Sequence, residues 1–169
     1  MCCFVIFSGI FTGLGNCADT TPTGQRLICN TGYKVPECLQ QLNTLRVILD
    51  HYHAEKLGTW TWVLVKSEDW KPIVRRLGGN TDSPAFSVVE KRQTFLEEAL
   101  FTVEVTRTAE LLKVWSLSQE QLLDLAVTHE LGHGMCQDTN ELRADQFGRL
   151  LRQGKQTQCS NRSFGRASP

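Results

Sequence analysis

Apolar positions Leu39, Leu42, Leu45, Val47, Ile48 and Leu49 recur at helical spacing, with Gly58 as a stop, and predict a helix over residues 36–57. Residues 59–66, TWTWVLVK, switch to an aromatic and β-branched alternation, which predicts a strand. A short helix follows over 70–77, closed by Gly78-Gly79, and the GNTDSP stretch at 79–84 is turn chemistry. Residues 85–89 and 94–105 read as two strands or one hairpin, with Glu90-Lys91-Arg92 at the bend. No decisive period runs through 106–114, which reads as a loop with a helical turn. The clearest element opens at Ser118, where Ser118-Gln119-Glu120-Gln121 has the form of a capping box and starts a helix running to about Gly134. A second helix is expected over 140–152, stopping at Gly154. The order is α+β: an N-terminal helix, a small antiparallel sheet, then two helices, with no repeating βαβ unit.

The ends read differently. Residues 1–15 carry no charge, are too short to span a membrane, and fit the hydrophobic part of a secretory signal, so residues 1–18 are expected to be an export signal. Residues 19–28 read as a linker, 29–153 as a single domain and 154–169 as a polar tail. Without the signal, Cys29, Cys38, Cys136 and Cys159 form an even set; in an exported chain they are expected to pair, with three connectivities open, of which Cys29–Cys38 with Cys136–Cys159 is the sequence-local one. The chain has 169 residues, with 18 basic and 18 acidic side chains, which excludes a bulk electrostatic partner such as nucleic acid or an anionic membrane. It is expected to be a monomer.

Residues 129–133 read His-Glu-Leu-Gly-His. On a helix, positions four apart share a face, so His129 and His133 can offer two imidazole nitrogens to one ion. Glu130 projects beside them as a base for the metal's water, which is the logic of H-E-x-x-H. A lone structural histidine would explain one of these residues, but not the pair together with the glutamate. Hydrolytic zinc takes three protein ligands and leaves one position open. Glu141, in the first turn of the next helix, is the leading third ligand, with Asp138 and Asp145 as competitors. Asp145, one turn beyond Glu141, is placed to accept a hydrogen bond from His129. An oxyanion donor has no positional argument; Tyr33, Tyr52, His51, His53, Arg75 and Arg76 are the candidates. The four tryptophans, Trp60, Trp62, Trp70 and Trp115, read as packing.

HELGH followed by ELRAD resembles the zincin metallopeptidases, specifically the gluzincin type with E-x-x-A-D on the following helix. The resemblance covers residues 118–152. It implies a zincin-like core, Zn2+ as cofactor, His129, His133 and Glu141 as ligands, Glu130 as general base and Asp145 as supporting acid. It also implies hydrolysis of a peptide or protein substrate, held extended along an edge strand at 85–89 or 94–105. Seven residues separate His133 from Glu141, fewer than in most gluzincins, and Thr139 stands where the longer metzincin pattern has its third ligand. A different class stays open beside the enzyme: a metal-binding interaction or regulatory module without turnover.

Overall fold

The first helix, α1 (Val35–His51), takes a proline in its opening turn, where the missing N–H would have no intrahelical partner anyway. It buries Cys38, Leu42, Leu45 and Leu49 along one stripe. It ends earlier than the apolar spacing suggests: His53 adopts a left-handed φ of 54°, and the chain re-enters as a 3-10 turn, Ala54–Leu57. The computed structural model describes residues 18–20, 24–103 and 106–159. Apart from Ala18, the expected export signal lies outside the described residues, as do positions 160–169 of the tail.

Five strands form one sheet: β1 (Ala18–Thr20), β2 (Gln25–Cys29), β3 (Trp60–Val65), β4 (Ala85–Val88) and β5 (Gln93–Glu97), in the order β1-β2-β3-β5-β4. The pairs β2–β3 and β3–β5 are parallel, while β1–β2 and β4–β5 at the two edges are antiparallel. This corrects two expectations. The sheet is mixed rather than antiparallel, because α1 carries the chain from β2 across to β3 as a βαβ crossover. Residues 19–28 are not simply a linker, since they hold most of β1 and all but the last residue of β2. Gln25 and Arg26 break the hydrophobic run of β2. Gln25 is nonetheless buried, its amide donating to the Ala54 carbonyl at 3.1 Å and accepting from the Trp62 indole at 3.0 Å.

Strand residues alternate between faces. One face presents Trp60, Trp62, Leu64, Leu27 and Leu96 to the main core, which includes residues of α1 and the later helices. The other presents Val63 and Val65 to Trp70 and Val74 of α2 (Ser67–Leu77). Three of the four tryptophans are therefore packing, but Trp115 is half-exposed at the end of α3.

Helix α3 (Thr106–Trp115) replaces the loop expected there; Thr108 anchors it by donating its hydroxyl to the Ala99 carbonyl at 2.7 Å. Residues 94–105 form no long strand, because β5 ends at Glu97 and turns into a 3-10 segment, Glu98–Leu100. The last two helices, α4 (Gln119–Cys136) and α5 (Glu141–Arg152), fall where the sequence puts them. Both sequence-local disulfides, Cys29–Cys38 and Cys136–Cys159, are formed, and the second ties the start of the tail to the end of α4.

Candidate metal centre

Local chemistry sets the two helices that build the site. Ser118 accepts a hydrogen bond from the Gln121 amide while Gln121 Oε1 accepts from the Ser118 amide, a reciprocal capping box that fixes the start of α4. At its far end Gln137 turns left-handed with φ 50°. Asp138 Oδ1 accepts from the Asn140 amide at 2.9 Å, and Asn140 Oδ1 caps α5 by accepting from the Arg143 amide at 3.0 Å.

α5 folds back on α4 with almost no space between backbones. A methyl group on Gly132 would sit 2.8 Å from both the Cα and the carbonyl oxygen of Ala144. One on Gly148 would sit 2.9 Å from the Thr128 carbonyl. Thr128 is consequently fully buried.

This approach brings His129, His133 and Glu141 together as a group able to hold a metal ion. His129 Nε2 lies 3.1 Å from His133 Nε2 and 3.1 Å from Glu141 Oε2, and His133 Nε2 lies 3.6 Å from Glu141 Oε2. Tetrahedral coordination at zinc distances puts neighbouring donors about 3.4 Å apart, so the triangle already has the right size.

The ring protons argue the same way. His133 Nδ1 lies 2.9 Å from the Asp138 carbonyl oxygen, which can only accept, so this nitrogen carries the proton. His129 Nδ1 lies 2.7 Å from Asp145 Oδ1 and donates to that carboxylate. In their neutral forms both rings then turn an Nε2 lone pair inward, against a glutamate oxygen that also only accepts. With Nδ1 protonated on both rings, the two Nε2 atoms and Glu141 Oε2 are three donors that one cation could bridge.

The site is open on one side. His133 is 5% exposed, whereas the side chains of Glu141 and Asp145 are 73% and 66% exposed. Glu130 lies on the buried side at 4% exposure, and burial pushes its carboxyl up to about 7, against the opposing pull of the nearby Ser87 hydroxyl and His133. Its Oε2 has no hydrogen-bond partner. Ser87 belongs to β4, the edge strand packed on α4. Of the two stretches proposed for a substrate strand, residues 85–89 supply this edge, while Thr94 lies one strand inside it.

Asp138 is drawn away from the triad: its carboxylate caps the interhelical turn and pairs with Arg143, while its backbone carbonyl orients His133. The oxyanion candidates are engaged elsewhere or sit at other surfaces. The Tyr52 hydroxyl donates to Asp124 at 2.7 Å, Tyr33 lies beneath the Lys66 ammonium, exposed His53 pairs with Glu55, and Arg75 and Arg76 end α2. Sequence spacing missed the Gly132–Ala144 and Thr128–Gly148 seam. An intact glycine pair at Gly132 and Gly148, flanking small Ala144, is the signal that could have suggested close helix contact.

Compared with protein-family models, curated proteins and solved structures, the chain matches none. Among the described residues, no helix is long and apolar enough to cross a membrane. The two disulfides and that absence are compatible with an exported protein.

Proposed function

We propose that this chain is a zinc-dependent peptidase of the zincin type, hydrolysing peptide bonds with Glu130 as general base. The observation that carries the reading is the convergence of the His129, His133 and Glu141 lone pairs beside a buried glutamate that belongs to the same HELGH run. Zinc is the ion that two imidazoles and one carboxylate at this spacing suit, and when bound it supplies Lewis acidity toward the scissile carbonyl and the attacking water.

The protein's own residues do the rest. Asp145 and the Asp138 carbonyl hold the two imidazoles in the tautomer that presents Nε2. Glu130, buried with Oε2 unpaired, accepts the proton of the attacking water and returns it to the leaving amine. A carboxyl near 7 is matched to both transfers at neutral pH. The free edge of β4 offers main-chain groups to an extended substrate running beside α4.

Purified protein is expected to hold one equivalent of zinc and to cleave a mixed peptide library, and Glu130→Gln is expected to keep the metal and lose cleavage by at least about 100-fold. Zinc bound with equal cleavage by both proteins would defeat Glu130 as the base, and zinc bound with no cleavage by either would leave a metal-binding module without turnover. No metal at all would sink both readings.

A further inference from the structure

We infer that the β4 edge holds an extended polypeptide, antiparallel to β4, at one residue only: the main-chain N–H and C=O of Ser87 take it, because the chain's own residues close the positions on either side. That the occupant is a substrate rests on the peptidase reading, whereas the account of which main-chain groups are free does not.

Along an antiparallel pair, successive residues turn both main-chain groups toward the partner strand and then both away from it. The Glu97 amide donates to the Pro84 carbonyl at 2.9 Å, so position 84 faces β5. In the register that sets Ala85 opposite Leu96 and Ser87 opposite Thr94, Phe86 and Val88 then face β5, while Ala85 and Ser87 face outward. The Ser87 and Thr94 hydroxyl oxygens are 2.7 Å apart, the close side-chain approach of a pair that exchanges no main-chain bonds. β4 ends the strand order, so among the described residues no strand takes its outward groups.

The chain itself takes most of them. The Ser83 hydroxyl donates to the Ala85 carbonyl at 2.8 Å, and its oxygen lies 3.5 Å from the Ala85 amide, so one side chain occupies both groups. Trp70 fixes that serine by donating its indole N–H to the Ser83 carbonyl at 2.9 Å. Val89, the next outward position, leaves the strand, and its carbonyl accepts from the Arg92 amide at 3.0 Å. Ser87 is left between them, and among the described residues no hydrogen bond engages its N–H or C=O. Antiparallel pairing lets one residue exchange both bonds with it, whereas a parallel segment would split them between two. The side chain of the held residue falls on the Ser87 face, where Ala85 packs with Leu123 and Val127 of α4, the helix that carries the metal centre. An edge of this kind admits many sequences but rejects proline at the held residue, which has no N–H to give.

Two experiments test this. In 15N-labelled Glu130→Gln protein saturated with a peptide retained from a mixed library, the Ser87 amide is expected to shift and to exchange more slowly with solvent, while the Ala85 amide is unchanged. In wild type, N-methylation of a cleaved peptide at successive residues is expected to raise KM at least about 10-fold at one position besides the scissile amide. Ser83→Ala uncovers the Ala85 pair, so KM should fall about 3- to 10-fold and a second sensitive position should appear two residues from the first. Several sensitive positions in wild type, no response to Ser83→Ala, or a library from which nothing is retained overturns the inference. So does a Ser87 amide already protected without peptide in a protein of doubled mass, which would give the edge to a second copy of the chain. Cleavage with Ser87 unprotected keeps the peptidase and removes the one-residue hold. Protection of Ser87 by a peptide that wild type never cleaves keeps the hold and removes the peptidase.

Discussion

Asp138 and Glu141 are three residues apart and both acidic, yet their surroundings commit them to different work. Asp138 has its two oxygens on the Asn140 amide and on Arg143, and only its backbone carbonyl serves His133. Glu141 pairs with no Lys or Arg among the described residues and points Oε2 at both imidazoles. Substituting Asp138 by alanine keeps the carbonyl, so zinc affinity measured by chelator competition should fall less than about 10-fold. Asp145→Asn, which weakens the acceptor behind His129, should cost about 10- to 100-fold, and Glu141→Ala more than either. An Asp138 variant that loses more zinc than the Glu141 variant would reverse the ligand assignment. Glu130 gives a second residue-scale expectation, this one for the metal-free protein. Its folded carboxyl titrates near 7, above the ordinary carboxylate range, so the protonated form is the one that the fold favours. The stabilisation is complete below the ordinary range and is lost as pH rises toward and through 7. Glu130→Gln has no such loss. It should therefore gain on wild type between about pH 5 and about pH 8, by about 2–3 kcal/mol in chemical unfolding. A gap that stays constant across that interval would show that Glu130 does not titrate in this way.

Between elements, the decisive contact is the seam of α4 and α5. Gly132 against Ala144, and Gly148 against Thr128, allow backbones so close that a methyl group must displace main chain rather than a flexible side chain. Gly132→Ala should destabilise the protein by about 1–3 kcal/mol, the usual range for overpacking, and should also weaken zinc binding, because α5 carries Glu141 away as it moves. Unfolding curves and zinc titration of the same variant check this together; lost stability with unchanged affinity would mean that the triad does not depend on the seam. Glycine in a helix costs propensity, so sequence reading treats Gly132 as a tolerated weakness, and only the packed partner reveals its purpose. That is a fair measure of what the sequence discloses. α4 was legible because its signals are local: the Ser118–Gln121 box, histidines four apart, and a turn of Asp and Asn before Glu141. β2 was not, since five residues opening with Gln25 and Arg26 resemble a linker until Trp62 and Ala54 satisfy the glutamine. α3 lacks a cap signal at Thr106, and it depends on Thr108 binding a carbonyl from another element. The Ser87–Thr94 pair had no signal either, because it depends on the β4–β5 register and on a tryptophan of β3.

At the scale of the whole molecule, the two disulfides differ in what they enclose. Cys29–Cys38 joins β2 to α1 and holds no element that carries a ligand. Cys136–Cys159 runs from the end of α4 to the chain beyond α5, so the loop it closes contains α5, the helix that positions Glu141 and Asp145 against His129 and His133. Its separation of 23 residues gives a loop-closure contribution of about 3 kcal/mol. The shorter loop of 9 gives somewhat less, about 2.5 kcal/mol. The two bonds should thus be similar in overall stability and different at the metal centre. Replacing Cys136 and Cys159 together by serine should lower both unfolding stability and zinc affinity, since fraying α5 releases one ligand and the carboxylate behind another. Replacing Cys29 and Cys38 should lower stability by a comparable amount while leaving zinc affinity within about 2-fold. Denaturant midpoints and chelator competition on the two double variants make the comparison. Equal losses of zinc in both would mean that the metal centre senses only global stability. A loss confined to the Cys136–Cys159 variant would mark that disulfide as the clasp of the site, and would tie an oxidising environment to metal retention as well as to folding.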